Sequence, residues 1–463
     1  MHQVRLLAMD HFFDQDLRAL ESHPELDVRR FPYQRLRGPA LRLMGQAVAN
    51  WLEAYKDPHL ERARRRYAAW VEREVQRLYL ERAFDVLVLP SDTFFYVRSL
   101  VDGAHLLGLP TVVVQKETTI SPDAMAVHSQ SIRASAPFIA DFMTVCSGRH
   151  REFWMHAGAD GDRIEVTGQP RFDLYATPRP RTPSARTRVL FLTYELDAYV
   201  GGVRDDATTT TWKLLRDGTE EVLLAGVSTG ACEVVVKCHP QQNHRIEASR
   251  LARFAGVAWN RGLSLADADA DTRELIMAAD VVVGFQTTAL YEAVAARRMA
   301  VYAAWGADYR RFRDGLIRFD EAPSECVRQA TSPEQLAKFV LGDMTPRAGG
   351  CEEWYEEALG PIDGHATDRV AARLRAIAEA WPMTAARREL DRRRLRFAAG
   401  LLGRSAAAEA LWTAAIPAAN VAGEKRRVAA RRIRAREGRT LALAALLHRE
   451  PTSGASSAAR GSD

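Results

Sequence analysis

The chain has 463 residues, 47% of them hydrophobic and 27% charged. That length exceeds one compact core, and that balance excludes both a disordered polymer and a collagen-like repeat. The net charge of +5 comes from one end: residues 383–463 hold 17 Arg and Lys against 7 Asp and Glu, leaving 47 basic and 52 acidic side chains elsewhere.

The N-terminus, MHQVRLLAMDHFF, lacks the apolar core of a signal peptide. No run of about 18 apolar residues occurs that could span a bilayer. The five cysteines, Cys146, Cys232, Cys238, Cys326 and Cys351, show no CxxC spacing, and their usage fits a reducing compartment. A cytoplasmic protein is expected.

In chain order, Gln3–Met9 opens as a short apolar strand. Leu41–Ala83 reads as one or two long helices rich in Arg and Glu. Asp85–Pro90, Thr111–Gln115, Phe142–Cys146 and Arg163–Thr167 follow as short runs rich in Val and Leu that stop at polar or turn residues. Buried parallel strands have that pattern. Helical segments such as Tyr96–Leu107 and Arg149–Ala157 lie between them, so a βα alternation and a parallel sheet are expected. Ala176–Thr187 carries three prolines among basic and hydroxyl residues and reads as a linker.

A second βα series then begins. Its strands are Arg188–Thr193, Glu233–Lys237, Val281–Gly284 and Met299–Ala303, with helices at Asp271–Ala279 and Thr287–Ala296. Two doubly wound halves joined by a linker place a ligand beyond the carboxyl ends of their strands, in the cleft between them. Thr367–Ala380 is an amphipathic helix closed by Trp381–Pro382. From Met383 the chain is rich in Arg and Ala and reads as a basic helical tail, ending in a small, polar stretch of disordered composition.

Two segments carry the strongest chemistry. In VVVKCHP (Val234–Pro240) a strand delivers Lys237 and His239 past its end, on one side of an extended chain, before Pro240 turns it. A cation and an imidazole at that place suit a phosphate-bearing ligand. In ADVVVGFQTTALYEAV (Ala279–Val294) a strand ends at Gly284 and Thr287 or Thr288 caps the next helix, whose free N–H groups attract anions. Thr288 and Glu292 share a helical face, so a hydroxyl near phosphates and a carboxylate near ribose hydroxyls match a nucleotide.

These segments together resemble the second domain of bacterial surface-polysaccharide transferases, including capsule and CDP-glycerol-polymerase-like families, which share the GT-B fold with UDP-N-acetylglucosamine 2-epimerases. Val166–Tyr175 (VTGQPRFDLY) resembles the family's segment at the end of the first domain. Asp363–Arg369 (DGHATDR) resembles the opening of the helix that crosses back. The resemblance spans roughly residues 85–381. It implies an α/β GT-B fold: a first Rossmann-like domain over 1–178 for the acceptor, a second over 188–365 for a nucleotide-sugar, a crossing helix at 366–382 and a tail at 383–463. Lys237 and His239 would meet the donor phosphates, Gln286, Thr287 and Thr288 would flank them, and Glu292 would meet ribose or sugar. The family shows a serine pair where Gln286–Thr288 stands, and often a His-Gly where this chain has Lys116–Glu117.

For the general base, the strand-end candidates of the first half are Asp10 and His11, Ser91 and Asp92, and Lys116 and Glu117, with Glu117 preferred and Asp92 next. His239 is a further catalytic candidate, and Thr193–Asp197 lies beside the cleft. The alternating Asp267, Asp269 and Asp271, and the pair Asp205–Asp206, are read as turn and capping acids, so neither a metal nor a cofactor beyond the donor is expected. The tail segment Lys425–Arg439 has little aromatic interleaving, so nucleic acid is not an expected partner. An anionic membrane surface met through residues 383–450, and a saccharide or lipid-linked acceptor, are. The expected activity is metal-independent glycosyl transfer in surface-polysaccharide assembly, with a nucleotide-sugar 2-epimerase or a non-catalytic binding subunit as alternatives.

Overall fold

The computed structural model describes residues 3–10, 13–45, 57–116, 122–177, 179, 184–193, 206–239, 242–306, 309–310, 319, 322–342 and 350–396. The tail beyond 396, including Lys425–Arg439, lies outside the described residues. So do Glu117, His11 and residues 194–197.

Two six-stranded sheets organise the chain, each parallel throughout. The first contains β1 (Val4–Asp10), β2 (Leu26–Pro32), β3 (Val86–Leu89), β4 (Thr111–Val114), β5 (Phe142–Val145) and β6 (Ile164–Val166), in the order β2-β1-β3-β4-β5-β6. The second contains β7 (Thr187–Leu192), β8 (Cys232–Lys237), β9 (Leu263–Leu265), β10 (Val281–Gly284), β11 (Met299–Ala303) and β12 (Val327–Ala330), in the order β12-β11-β10-β7-β8-β9. The expected pair of doubly wound halves is therefore present.

Strand alternation divides each sheet between two cores. Leu7, Met9, Leu87, Leu89 and Val113 face one side of the first sheet, and Leu6, Ala8, Val86, Val88 and Val112 face the other. The second sheet is covered on both faces in the same way. Central strands such as β3, β4, β10 and β11 are buried at every residue. The sequence reading misses β2, β9 and β12, and all three are edge strands. β2 reads LDVRRFP and is buried only at Leu26 and Phe31. An edge strand need not be apolar on both faces, so its sequence lacks the continuous hydrophobic run of an interior strand.

The first half carries α1 (Asp14–Glu21), α2 (Gln34–Met44), α3 (Glu61–Glu81), α4 (Arg98–Leu106), α5 (Pro122–Ser135) and α6 (Gly148–His156). The second carries α7 (Asp206–Ser228), α8 (His244–Ala255), α9 (Thr272–Ala278), α10 (Ala289–Ala295), α11 (Pro333–Leu341) and α12 (Glu352–Leu359). The last named helix, α13 (Ala366–Ala380), packs Val370, Ala371, Leu374 and Ile377 into the core of the first sheet. The chain thus leaves the second sheet after α12 and returns to the first. The turn is tight: Gly360 has φ +80° and a side chain there would lie 1.7 Å from the Cys146 carbonyl oxygen, so only glycine fits.

The start of the basic tail is part of this body. Residues 385–396 are helical, Leu390 joins a core of the first sheet, and Asp391 accepts the Tyr79 hydroxyl at 2.7 Å. Arg387 donates to Asp85 at 2.8 Å, beside Arg5 at 2.7 Å. Among the described residues no helix is long and apolar enough to cross a membrane.

Reading all five cysteines as thiols needs correction, because Cys326 and Cys351 are bonded. Nothing in their spacing marks them; the fold brings their Cα atoms to 5.7 Å by setting the N-cap of α12 beside the start of β12. Closing a loop with sequence separation 25 stabilises by about 3 kcal/mol on the chain-entropy account. Adding a phosphine reductant, or making Cys326→Ala/Cys351→Ala, should therefore lower the unfolding temperature of the second domain. Identical thermal unfolding with and without reductant would count against a native bond.

Candidate functional site

The second sheet reverses its strand order between β7 and β10, which are neighbours in register with Leu192 opposite Gly284. Ligands of open α/β sheets bind beyond the carboxyl ends of the strands at such a point. Five residues meet there. Thr193 ends β7 with its amide donating to the Lys237 carbonyl at 3.1 Å. Its side chain is buried, and among the described residues its hydroxyl has no hydrogen-bond partner. Gly284 ends β10, where a Cβ would lie 2.6 Å from the Thr287 methyl. Gln286 follows with φ +49°, a left-handed conformation that costs a side-chain-bearing residue about 1 kcal/mol. Strain of this sort gathers at functional sites. Thr287 Oγ1 accepts the Ala289 amide at 3.3 Å. Thr288 is the N-cap of α10 but makes no side-chain cap bond. Gln286, Thr287 and Thr288 are all half-buried.

The structure brings Lys237 to the end of β8 as expected but gives it a task of its own. Its ammonium donates to the carbonyls of Asp267 and Ala268 at 3.0 and 2.8 Å, and burial lowers its proton affinity. It therefore pins the loop ahead of α9. His239 stands on the surface, with its amide donating to Gln242 Oε1 at 2.7 Å. Asp271 caps α9 by accepting the Arg273 amide. Among the described residues no group of three His, Cys, Asp or Glu could hold a metal.

Glu292 lies on α10 as expected, and it faces inward. Its carboxylate accepts the Tyr175 hydroxyl at 2.8 Å, in a buried pair. Tyr175 belongs to the 3-10 segment Pro170–Ala176 between the sheets. Arg171 of that segment pairs with the wholly buried Asp16 of α1 at 3.1 Å and donates to the Lys116 carbonyl at 3.1 Å. Arg273 of α9 reaches back to the Arg171 carbonyl at 2.9 Å. Gln15 of α1 donates to Asp271 at 3.1 Å. The N-terminal turns of α1 and α9 thus touch. Since helices begin where parallel strands end, the carboxyl edges of the two sheets face a common cleft. Sequence reasoning missed Asp16, Arg171, Tyr175 and Arg273. The only local trace was the VTGQPRFDLY segment, which supplies two of them.

In the first sheet the reversal falls between β1 and β3. Asp10 ends β1 there, half-buried, and burial raises its proton affinity against the opposing pull of Arg30. Asp92 is fully buried, and one carboxylate oxygen accepts the amides of Ile139 and Ala140 at 2.6 and 3.0 Å. That geometry fixes the 139–140 turn and leaves the Asp92 side chain, expected as a base, wholly buried beneath the end of β3. A cavity of about 470 Å³ lies along α1, the 170–174 segment and the start of α13. Its guanidiniums are already paired: Arg18 with Asp14, Arg171 with Asp16 and Arg273 with Asp271.

No family model matches the chain, and no curated protein sequence is significantly similar to it. Solved structures do match. A UDP-GlcNAc 2-epimerase from Methanocaldococcus jannaschii superposes with TM-score 0.50 and 12% identity, over 81% of this chain and 99% of its own. A UDP-GlcNAc 2-epimerase from Neisseria meningitidis, solved with UDP-GlcNAc, gives 0.46 and 10%, over 81% and 100%. The wall teichoic acid polymerase TagF gives 0.48 and 11%, over 81% and 89%. The archaeal match, with the two sheet topologies, shows the two-domain Rossmann-like GT-B fold.

The Glu292 environment makes a prediction. Burial raises the proton affinity of Glu292, and Arg171, Tyr175 and Arg273 oppose this without cancelling it. A carboxyl with a raised folded-state value stabilises the fold fully below its unfolded value, near 4.5, and loses that contribution as pH rises through the folded value. Glu292→Gln should therefore match or exceed the wild-type unfolding temperature at about pH 8, with the advantage shrinking toward about pH 4.5. An advantage that grows on acidification would contradict this.

Proposed function

We propose that the chain is a glycosyltransferase that takes a nucleotide-activated sugar at the β7/β10 edge and an acceptor hydroxyl at the β1/β3 edge. The observation that carries the reading is the coincidence of features at one switch point: the unpartnered Thr193 hydroxyl, Gly284 and the strained Gln286. A buried unpaired hydroxyl costs about 1–3 kcal/mol, which a ligand's hydrogen bond offsets. Diphosphate would lie against Gln286, Thr287 and Thr288, with His239 at the mouth. Lys237 acts by holding the 267–268 loop. Glu292 would reach a ribose or sugar hydroxyl by exchanging its Tyr175 bond.

The base acts from the other sheet. Asp10 is the described carboxylate at the switch point of the first sheet, and its raised proton affinity suits it to take the acceptor's proton. The acceptor oxygen then bonds to the anomeric carbon as the bond to the nucleotide phosphate breaks. The facing sheets exclude water as the cleft closes. Surface-polysaccharide assembly is the setting proposed, with the basic residues of 383–450 at an anionic membrane face. The described part of that region contributes Arg388, Arg392, Arg393 and Arg396 to the exposed surface.

A second reading is favoured by the archaeal match, since that fold serves a UDP-GlcNAc 2-epimerase. An epimerase converts the donor with no acceptor present. A non-catalytic subunit would bind without turnover.

Thermal shift against UDP, CMP, CDP, GDP and their sugar conjugates tests the donor site. One nucleotide should raise the unfolding temperature, and Thr193→Val should keep the fold while weakening that ligand about tenfold. Proton NMR of the stabilising conjugate then separates the readings. Nucleotide release that needs an added acceptor supports transfer, and a new sugar epimer without acceptor supports epimerisation. No shift with any nucleotide would sink both.

A further inference from the structure

The carboxyl edge of the first sheet holds a cluster that the transfer chemistry above does not use. After β3 the chain runs Ser91–Val97, and every residue of it is buried except the half-buried Phe94. Phe94 stacks on Tyr96 with ring centroids 5.5 Å apart and planes within 3°. Tyr96 is itself held fast: Phe95 meets it edge-on at 5.1 Å, and its carbonyl accepts the Tyr67 hydroxyl at 2.8 Å. A third ring, Tyr33, lies 6.2 Å from Tyr96. Tyr33 is the N-cap of α2, and its amide donates to the Asp10 carbonyl at 3.3 Å. Beyond β4, the Lys116 ammonium stands 5.8 Å from the centre of the Phe94 ring.

The segments after β2, β3 and β4 thus set two half-buried rings and one ammonium on the same carboxyl edge at which β1 ends in Asp10. Both rings pack against the core that holds Phe95, Tyr96 and Tyr67, and each stays half-exposed above it. An aromatic face on a rigid support packs well against the C–H face of a pyranose, and an ammonium is a point charge suited to phosphate. Arg171 holds the Lys116 carbonyl at 3.1 Å, so this subsite is tied to the segment between the domains.

We propose that Tyr33, Phe94 and Lys116 form the acceptor subsite, and that the acceptor is a glycosyl phosphate. Its ring packs on the Phe94–Tyr33 wall, its phosphate meets Lys116, and a ring hydroxyl lies toward Asp10. This rests on the transferase reading. Such a group occurs both on soluble sugar phosphates and on lipid-borne saccharides, and the test separates them.

The test is ligand-observed saturation-transfer NMR on the full chain, in saturating UDP, with glucosyl phosphate, methyl glucoside and farnesyl-phosphoryl-glucose as probes. Glucosyl phosphate should bind about tenfold tighter than methyl glucoside, and UDP should not displace it. Phe94→Leu should weaken it about fivefold, and Lys116→Gln should abolish the preference for phosphate. Lys116→Gln should unfold at the wild-type temperature, and Phe94→Leu slightly below it, since it trades one apolar side chain of the core's edge for another. A farnesyl ester that binds tighter than glucosyl phosphate assigns a lipid-borne acceptor, and equal affinity a soluble one. Displacement of the probe by UDP, unchanged binding in either variant, or no binding of glucosyl phosphate by the wild type would overturn the subsite. If UDP itself fails to bind while glucosyl phosphate still needs Phe94, the transferase reading falls and the subsite stands.

Discussion

The 3-10 segment Pro170–Ala176, clamped between the two sheets, is the constraint on which the rest of the molecule depends. Arg171 reaches a buried carboxylate on the first domain, Tyr175 reaches a buried carboxylate on the second, and Asp173 accepts the Ala366 and Thr367 amides, both at 2.8 Å, to cap α13. One short stretch therefore sets both domains and the returning helix. Breaking a single partner would strand a charge away from water, which costs far more than a surface ion pair contributes. The facing of the two strand edges follows from this clamp and from the Gln15–Asp271 contact.

That clamp also links the candidate sites. Arg171 touches the Lys116 carbonyl, beside the proposed acceptor wall, and Tyr175 touches Glu292, beside the proposed donor loop. A ligand hydroxyl that takes over the Glu292 carboxylate would release Tyr175 and alter the segment that also orients Lys116. The buried, proton-hungry Glu292 and the left-handed Gln286 are both unfavourable for stability alone. Such costs are what a binding site retains when function needs them.

Much of the architecture was legible because interior parallel strands must be apolar on both faces. The runs at 86–89, 111–114, 281–284 and 299–303 announced themselves, and the loops after β8 and β10 followed as candidate sites. The edge strands β2, β9 and β12 did not, since one open side admits residues such as Arg29, Arg30, Ser264 and Gln329. The clamp was illegible for a different reason. Asp16 and Arg171 are 155 positions apart and Tyr175 and Glu292 are 117 apart, so no spacing rule connects them. The partners of Lys237 were illegible because its residue type suits a phosphate, whereas it bonds carbonyls in a loop 30 residues on. The burial of Asp92 was illegible too, because a strand-end acid in the sequence gives no sign of whether it turns outward or, as here, inward to two amides.

The most direct test of the central claim is a crystal structure of the protein soaked with the nucleotide that stabilises it. The diphosphate should lie at the carboxyl ends of β7 and β10, against Gln286, Thr287 and Thr288, with the Thr193 hydroxyl newly bonded. A nucleotide found against the first sheet, or in the cavity between Arg18 and Arg273, would contradict it.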